Sequence, residues 1–199
     1  MKFTNVQTVK IIAFLLLALV VTQALFTILY VAEINPSRQL FWGLEGLLFT
    51  ILAAFAGAAM VQAKNHYVGW SAIAFSAVFN VVQVSIGATM FVPFREVASQ
   101  VEALGAAAGA VVAFSFMIYY AAKFLLGFAA LIFGVSKING SAKVLGGLTA
   151  SVGIVAMFAN AILITFGRNS FLPSAVAGVS GVLATLLLAF CLLSIIRED

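Results

Sequence analysis

Residues 11–32 read IIAFLLLALVVTQALFTILYVA, an apolar run without a single charged side chain. At ~1.5 Å of rise per helical residue it reaches roughly 33 Å, enough to cross a hydrocarbon layer of ~30 Å. In lipid the backbone N–H and C=O groups find no water, so a run of this kind satisfies them internally as a helix. Residues 144–167 and 169–196 are equally free of charge. With three further apolar stretches they predict spans at 11–32, 39–63, 68–92, 105–135, 144–166 and 171–196. The expected fold is all-α: a polytopic membrane protein whose 199 residues form one integral-membrane bundle of six helices.

Composition supports this reading. Hydrophobic residues make up 64% of the chain and charged residues 8%, with a mean hydropathy of +1.20. Soluble domains carry about 25% charged residues, so this chain lacks the means to cover a water-facing surface. The formal charge of +4 comes from scattered Lys and Arg. No basic cluster offers a nucleic-acid interface. The first apolar run follows Lys2 and Lys10 as a signal peptide would, but it continues through residues 25–32, beyond a typical apolar core of about 7–15 residues. An uncleaved first span is expected.

Connections are short. Asn35-Pro36-Ser37 interrupts the chain after the first span, because Pro disfavours helix at the residue before it and lacks a donor. Lys64-Asn65-His66 and the segment around Asn139-Gly140 read as turns, and Arg168-Asn169-Ser170 closes the fifth span ahead of Pro173. Consecutive helices are then antiparallel neighbours. With the N-terminus in the cytoplasm, Lys2, Lys10, Lys64, Lys137, Lys143 and Arg197 fall inside, against Arg38, Arg95 and Arg168 outside. That bias places both termini in the cytoplasm, in a cytoplasmic (inner) type of membrane.

Residues 93–104 differ from the other connections. Phe94, Val97, Val101 and Leu104 recur at helical spacing opposite Arg95, Glu96, Ser99, Gln100 and Glu102. This pattern predicts a short amphipathic helix in the outer interface between spans 3 and 4, an anchor or a lid. Small residues form ridges elsewhere: Gly105 and Gly109, Ala54 and Ala58 with Gly57, Gly146 and Gly153, and a stripe of Ser174, Gly178, Gly181 and Thr185. In lipid, helices associate by close van der Waals approach, which such residues permit.

Polar groups inside the hydrocarbon are costly, a centrally placed Lys or Asp by ~2.5–3.5 kcal/mol on insertion scales, so the few present carry the functional signal. They are Gln23, Glu45, Asn80, Gln83, Lys123 and Asn160. From the helical rise, Glu45 lies roughly 9 Å, Asn160 roughly 10 Å, and Gln23 and Gln83 roughly 13 Å below the outer surface. Asn80 falls at the middle, and Lys123 roughly 18 Å from the inner end of its span. All six thus sit at or above the midplane, with only Gly, Ser and Thr below. Ser76, Asn80, Gln83 and Gly87 share one stripe, and Tyr119, Lys123 and Gly127 another. Turning these stripes inward pairs Lys123 with Glu45, and the ligand-binding candidates are Glu45, Asn80, Gln83, Lys123 and Asn160.

Catalytic arrangements are not supported. His66, the only histidine, lies at the turn opposite Glu45, and no two carboxylates share the membrane interior. Cys191 is the only cysteine, so this chain alone builds neither a disulfide nor a Cys/His metal site, and no cofactor is expected. Two functions fit. One is a membrane solute-binding or transport protein with a small polar ligand in a pocket of the outer half. The other is a non-catalytic accessory or scaffold subunit of a larger membrane complex or homo-oligomer. In size, six-span layout and cytoplasmic termini the chain resembles the substrate-binding subunits of energy-coupling-factor vitamin transporters. Their alanine ridge lies on the first helix, whereas Ala54 and Ala58 lie on the second here, so the likeness is one of layout.

Overall fold

A computed structural model describes residues 3–34, 36–63, 65–140 and 142–195. Lys2, Asn35, Lys64 and Arg197, which entered the reading of charge and turns, lie outside the described residues, as does residue 196 at the end of the sixth span. Every regular element among the described residues is helical: α1 Asn5–Val31, α2 Arg38–Gln62, α3 Tyr67–Gln100, α4 Gly105–Ile138, α5 Lys143–Phe166 and α6 Ser174–Ile195. Each of the six is long and apolar enough to cross a membrane. The chain is a multi-pass membrane bundle.

Local chemistry sets several of the boundaries. α1 begins six residues before the apolar run, because Thr4 and Gln7 form a capping box in which each side chain accepts from the other's backbone N–H. It ends through Glu33, which takes a left-handed φ of 59° so that Ile34 N–H donates to Leu29 C=O. The Ser37 hydroxyl caps α2 by accepting from Leu40 N–H.

The interfacial helix expected at residues 93–104 does not exist as a separate element. α3 runs unbroken through Pro93 to Gln100, and only a single 3-10 turn, Glu102–Leu104, separates it from α4. Proline removes one N–H and crowds one carbonyl, a penalty that a long helix accommodates without stopping. α3 and α4 are each 34 residues long, roughly 51 Å against the ~30 Å of a hydrocarbon core. Their connected ends project past the neighbouring helices, with Phe94, Val97, Val101 and Leu104 all exposed.

Packing defines an incomplete barrel of helices. α1 contacts α2, α2 contacts α3, α3 contacts α4, α4 contacts α6, and α6 returns to α1. α5 stands outside this five-membered ring, touching only α4 and α6. The α4/α5 seam is closed by glycines. A Cβ on Gly134 would lie 2.5 Å from Ala150 N, one on Gly146 2.7 Å from Gly134 O, and one on Gly153 2.6 Å from Gly127 O. Gly127 and Gly134 thus mesh with Gly153 and Gly146, two turns apart on antiparallel helices. By contrast, a Cβ on Gly105 or Gly57 would meet nothing within 4 Å. The core toward the end carrying the N-terminus is predominantly apolar, with Ile12, Leu16, Leu52, Ile73, Phe133 and Leu188 fully buried.

Candidate functional site

At the opposite end of the bundle the ring does not close on itself. From Thr8 to Leu19 α1 buries one side against its neighbours, but none of its residues beyond Leu19 is buried. The space so left is a cleft of about 680 Å³, walled by α1, α2, α3, α4 and α6. α5 contributes nothing to it, consistent with its place outside the ring.

The polar floor is built from four of these helices. Lys123 on α4 is completely buried, and its Nζ donates to Gln23 Oε1 on α1 at 2.8 Å. The lysine stem passes over α6 at Gly181, where a Cβ would come within 2.9 Å of Lys123 Cδ. The absence of a side chain at Gly181 leaves room for the lysine stem on its way to α1. The same ammonium lies 5.3 Å from the centroid of the Tyr119 ring, a cation–π distance. Glu45, only 6% exposed, lies on the cleft wall beside Gln23. Gln83 completes the floor from α3, its Nε2 donating to Ser115 Oγ at 3.5 Å while that hydroxyl donates back to Gln83 C=O at 3.3 Å.

The expected pairing of Lys123 with Glu45 is therefore corrected. No nitrogen–oxygen approach within 4.0 Å joins them. Gln23 takes the ammonium instead. The carboxylate faces the cleft with the Thr22 hydroxyl beside it.

Two candidates lie away from the cleft wall. Asn80 is 1% exposed and turns back along α3, donating to Ser76 C=O at 2.9 Å. Ser76 Oγ in turn donates to Ala122 C=O at 2.8 Å, so this pair ties α3 to α4. Asn160 belongs to α5 and sits at the α5/α6 contact, donating to Ala156 C=O at 2.8 Å and Ala177 C=O at 3.4 Å. Its Oδ1 is buried without a partner. The expectation that nothing beyond Gly, Ser and Thr occupies the other half is also revised. Thr8 Oγ1 donates to Gln62 Oε1 at 3.3 Å there, and Lys137 is 3% exposed.

Sequence reasoning missed the aromatic wall. Trp42 stacks edge-on with Phe91 at 5.5 Å and tilted against Phe26 at 5.8 Å. Gly87 makes this possible, because a Cβ there would fall 2.3 Å from the indole ring. Tyr119 and Tyr120, with ring centroids 5.8 Å apart, form the facing wall. The spacing of Gly87 on the Ser76/Asn80/Gln83 stripe was the available signal. Residues 93–104, expected as an anchor or a lid, contribute nothing to the cleft lining.

No protein-family model matches the chain, and comparison with curated proteins and with solved structures found no match.

Proposed function

We propose that this protein binds or transports a solute, whose polar part is received in the cleft between α1, α2, α3, α4 and α6. The observation that carries the reading is the convergence of Gln23, Glu45 and Gln83 on one wall, with Lys123 directly behind Gln23. A bundle that needed polar groups only as glue would bury them between helix pairs, as Asn80 and Asn160 are buried. Here a carboxylate and two amides reach the wall of an open cleft within a membrane-spanning bundle, where polar groups are costly, and the protein partners they have, Thr22, Lys123 and Ser115, do not cover them from the cleft side. Binding sites of roughly 300–1,000 Å³ with a few convergent polar groups in an apolar wall are the common form of small-molecule sites. Glu45, Gln83 and Gln23 contact the ligand in this reading, Lys123 sets the charge of the floor, and Asn80 and Asn160 hold helices together.

The basic residues flanking the spans orient the bundle with both termini in the cytoplasm, so the cleft lies in the outer half of a cytoplasmic-type membrane. The second reading is an accessory or scaffold subunit. The exposed α3/α4 projection, with its apolar Phe94, Val97, Val101 and Leu104, favours it as a partner-binding feature.

One experiment separates the two. Purified protein, Glu45→Gln and Lys123→Met are screened by thermal shift against zwitterions and polyols, both water-soluble (glycine betaine, glutamine, glycerophosphocholine) and amphiphilic (lysophosphatidylcholine). Binding predicts stabilisation of the parent protein by at least one solute and its loss in Glu45→Gln, with Lys123→Met still folded. Absence of stabilisation by every solute, together with stoichiometric co-purification of another membrane protein, supports the subunit reading instead.

A further inference from the structure

The cleft has two unlike ends. Its floor is polar, but Ile28 and Tyr30 on α1 and Val179 and Leu183 on α6 line it while also standing 63, 58, 60 and 46% exposed. Residues that both line a cavity and reach the outer surface mark its mouth. The mouth therefore opens sideways, chiefly between α1 and α6 within their membrane-spanning stretches, with Phe116 of α4, 44% exposed, and Ser174 at the start of α6 also on its rim. A freely diffusing hydrophilic solute would have no route through such a mouth without leaving water. A molecule already dissolved in the bilayer would.

The floor constrains the headgroup. It holds one carboxyl, Glu45 on the wall, and one amine, Lys123 buried behind Gln23. In their ordinary ionised forms, carboxylate and ammonium, the two charges sum to zero. A headgroup of net charge would leave an uncompensated ion in a medium of low dielectric constant. A neutral or zwitterionic headgroup leaves none, and meets donors and acceptors in Gln23, Gln83 and the tyrosine hydroxyls.

We infer that the cleft takes a membrane-borne amphiphile of net-neutral, hydrogen-bonding headgroup, which slides in laterally between α1 and α6 with its apolar tail toward the lipid. This rests on the binding reading above and narrows it to one substrate class. Gly178 provides the handle. It lines the cleft on α6, and a Cβ there meets nothing nearer than Tyr119 Oη at 3.7 Å, so a larger side chain fills the cavity without striking backbone. Ala175, exposed at the mouth, is a second position for a plug. Gly147 on α5 meets nothing within 4 Å and serves as the control.

The test is native mass spectrometry of the full chain in a non-ionic detergent with lysophosphatidylcholine as the probe. The expected result is one lipid retained per protein, at least tenfold weaker retention in Gly178→Leu and Ala175→Phe, and no change in Gly147→Leu. Lysophosphatidylglycerol and a long-chain alkyltrimethylammonium should bind at least tenfold more weakly. Equal retention by the parent and both plugged variants would mean a surface lipid shell and overturn the inference. If one plugged variant does not fold, the other decides. Equal binding of the charged amphiphiles overturns the headgroup assignment. Equally tight binding of the tail-less glycerophosphocholine overturns the amphiphile assignment while leaving the polar cleft standing. If neither lysophosphatidylcholine nor any water-soluble solute binds, both readings fall together.

Discussion

Lys123 and Gln23 are 100 positions apart in the chain and meet at 2.8 Å, the ammonium of α4 on the amide oxygen of α1. This bond crosses the floor of the cleft and is a polar tie between α1 and α4, whose described backbones do not pack directly against one another. An amide rather than a carboxylate receives the buried cation, and Glu45 is thereby left facing the cavity. The choice matters for function: a tight Glu45 ion pair would have sealed the site, whereas this arrangement keeps a carboxylate on the wall.

The path of the lysine depends on α6. Gly181→Ala places a methyl group 2.9 Å from Lys123 Cδ. The stem must then shift, and the expected loss is about 1–3 kcal/mol, in the range of an overpacked core. Unfolding followed in mixed micelles should show that loss. Combined with Lys123→Ala, the same substitution should cost far less than the sum of the single changes, because the clash is gone.

At the α4/α5 seam the contacts are to backbone, which cannot rotate away. Gly134→Ala, with Ala150 N at 2.5 Å, should destabilise the bundle by at least about 2 kcal/mol. Gly147→Ala on the same helix pair has open space, and should gain up to about 1 kcal/mol from helix propensity. Opposite signs for the two glycines in one unfolding assay are the expected outcome. Equal effects would mean that the helices are not this close.

Asn160 carries a buried acceptor, Oδ1, with no partner. An orphaned group of this kind costs about 1–3 kcal/mol, so Asn160→Leu should be neutral or stabilising despite the loss of two N–H donations. The same unfolding assay reads it, and a loss above about 2 kcal/mol would show that Oδ1 has a partner in the membrane.

Orientation can be read with thiols. In a Cys191→Ala background, Ser99→Cys at the α3 end and Asn139→Cys after α4 stand at opposite ends of the bundle, both exposed. A membrane-impermeant maleimide applied to intact cells should label Ser99→Cys and spare Asn139→Cys until the membrane is broken. The reverse pattern would invert the topology and put the cleft on the cytoplasmic side.

The six spans were legible because lipid tolerates few sequences, and long uncharged runs such as residues 11–32 satisfy them unambiguously. What misled was local: the amphipathic spacing of Phe94, Val97, Val101 and Leu104 read as a separate helix, yet most of it belongs to a 34-residue helix that absorbs Pro93. The scarcity of polar residues pointed to Gln23, Glu45, Gln83 and Lys123, and helical rise put them at similar depth. Depth alone carries no information on azimuth or on which helices are neighbours. Asn160 matched in depth but sits on α5, outside the ring, and the identity of Lys123's partner depended on a few ångströms of side-chain reach. Trp42 passed unnoticed because its place in the wall is permitted by Gly87, on a different helix.

The most direct test of the site is a double-mutant cycle on Gln23→Leu and Lys123→Met, read by reversible unfolding in mixed micelles. Gln23→Leu alone strands a buried ammonium and should cost about 1–3 kcal/mol, while the double variant, having lost both partners, should approach the parent. The expected coupling energy is at least about 1 kcal/mol. A coupling indistinguishable from zero would contradict the contact, and with it the cleft floor on which the binding site is built.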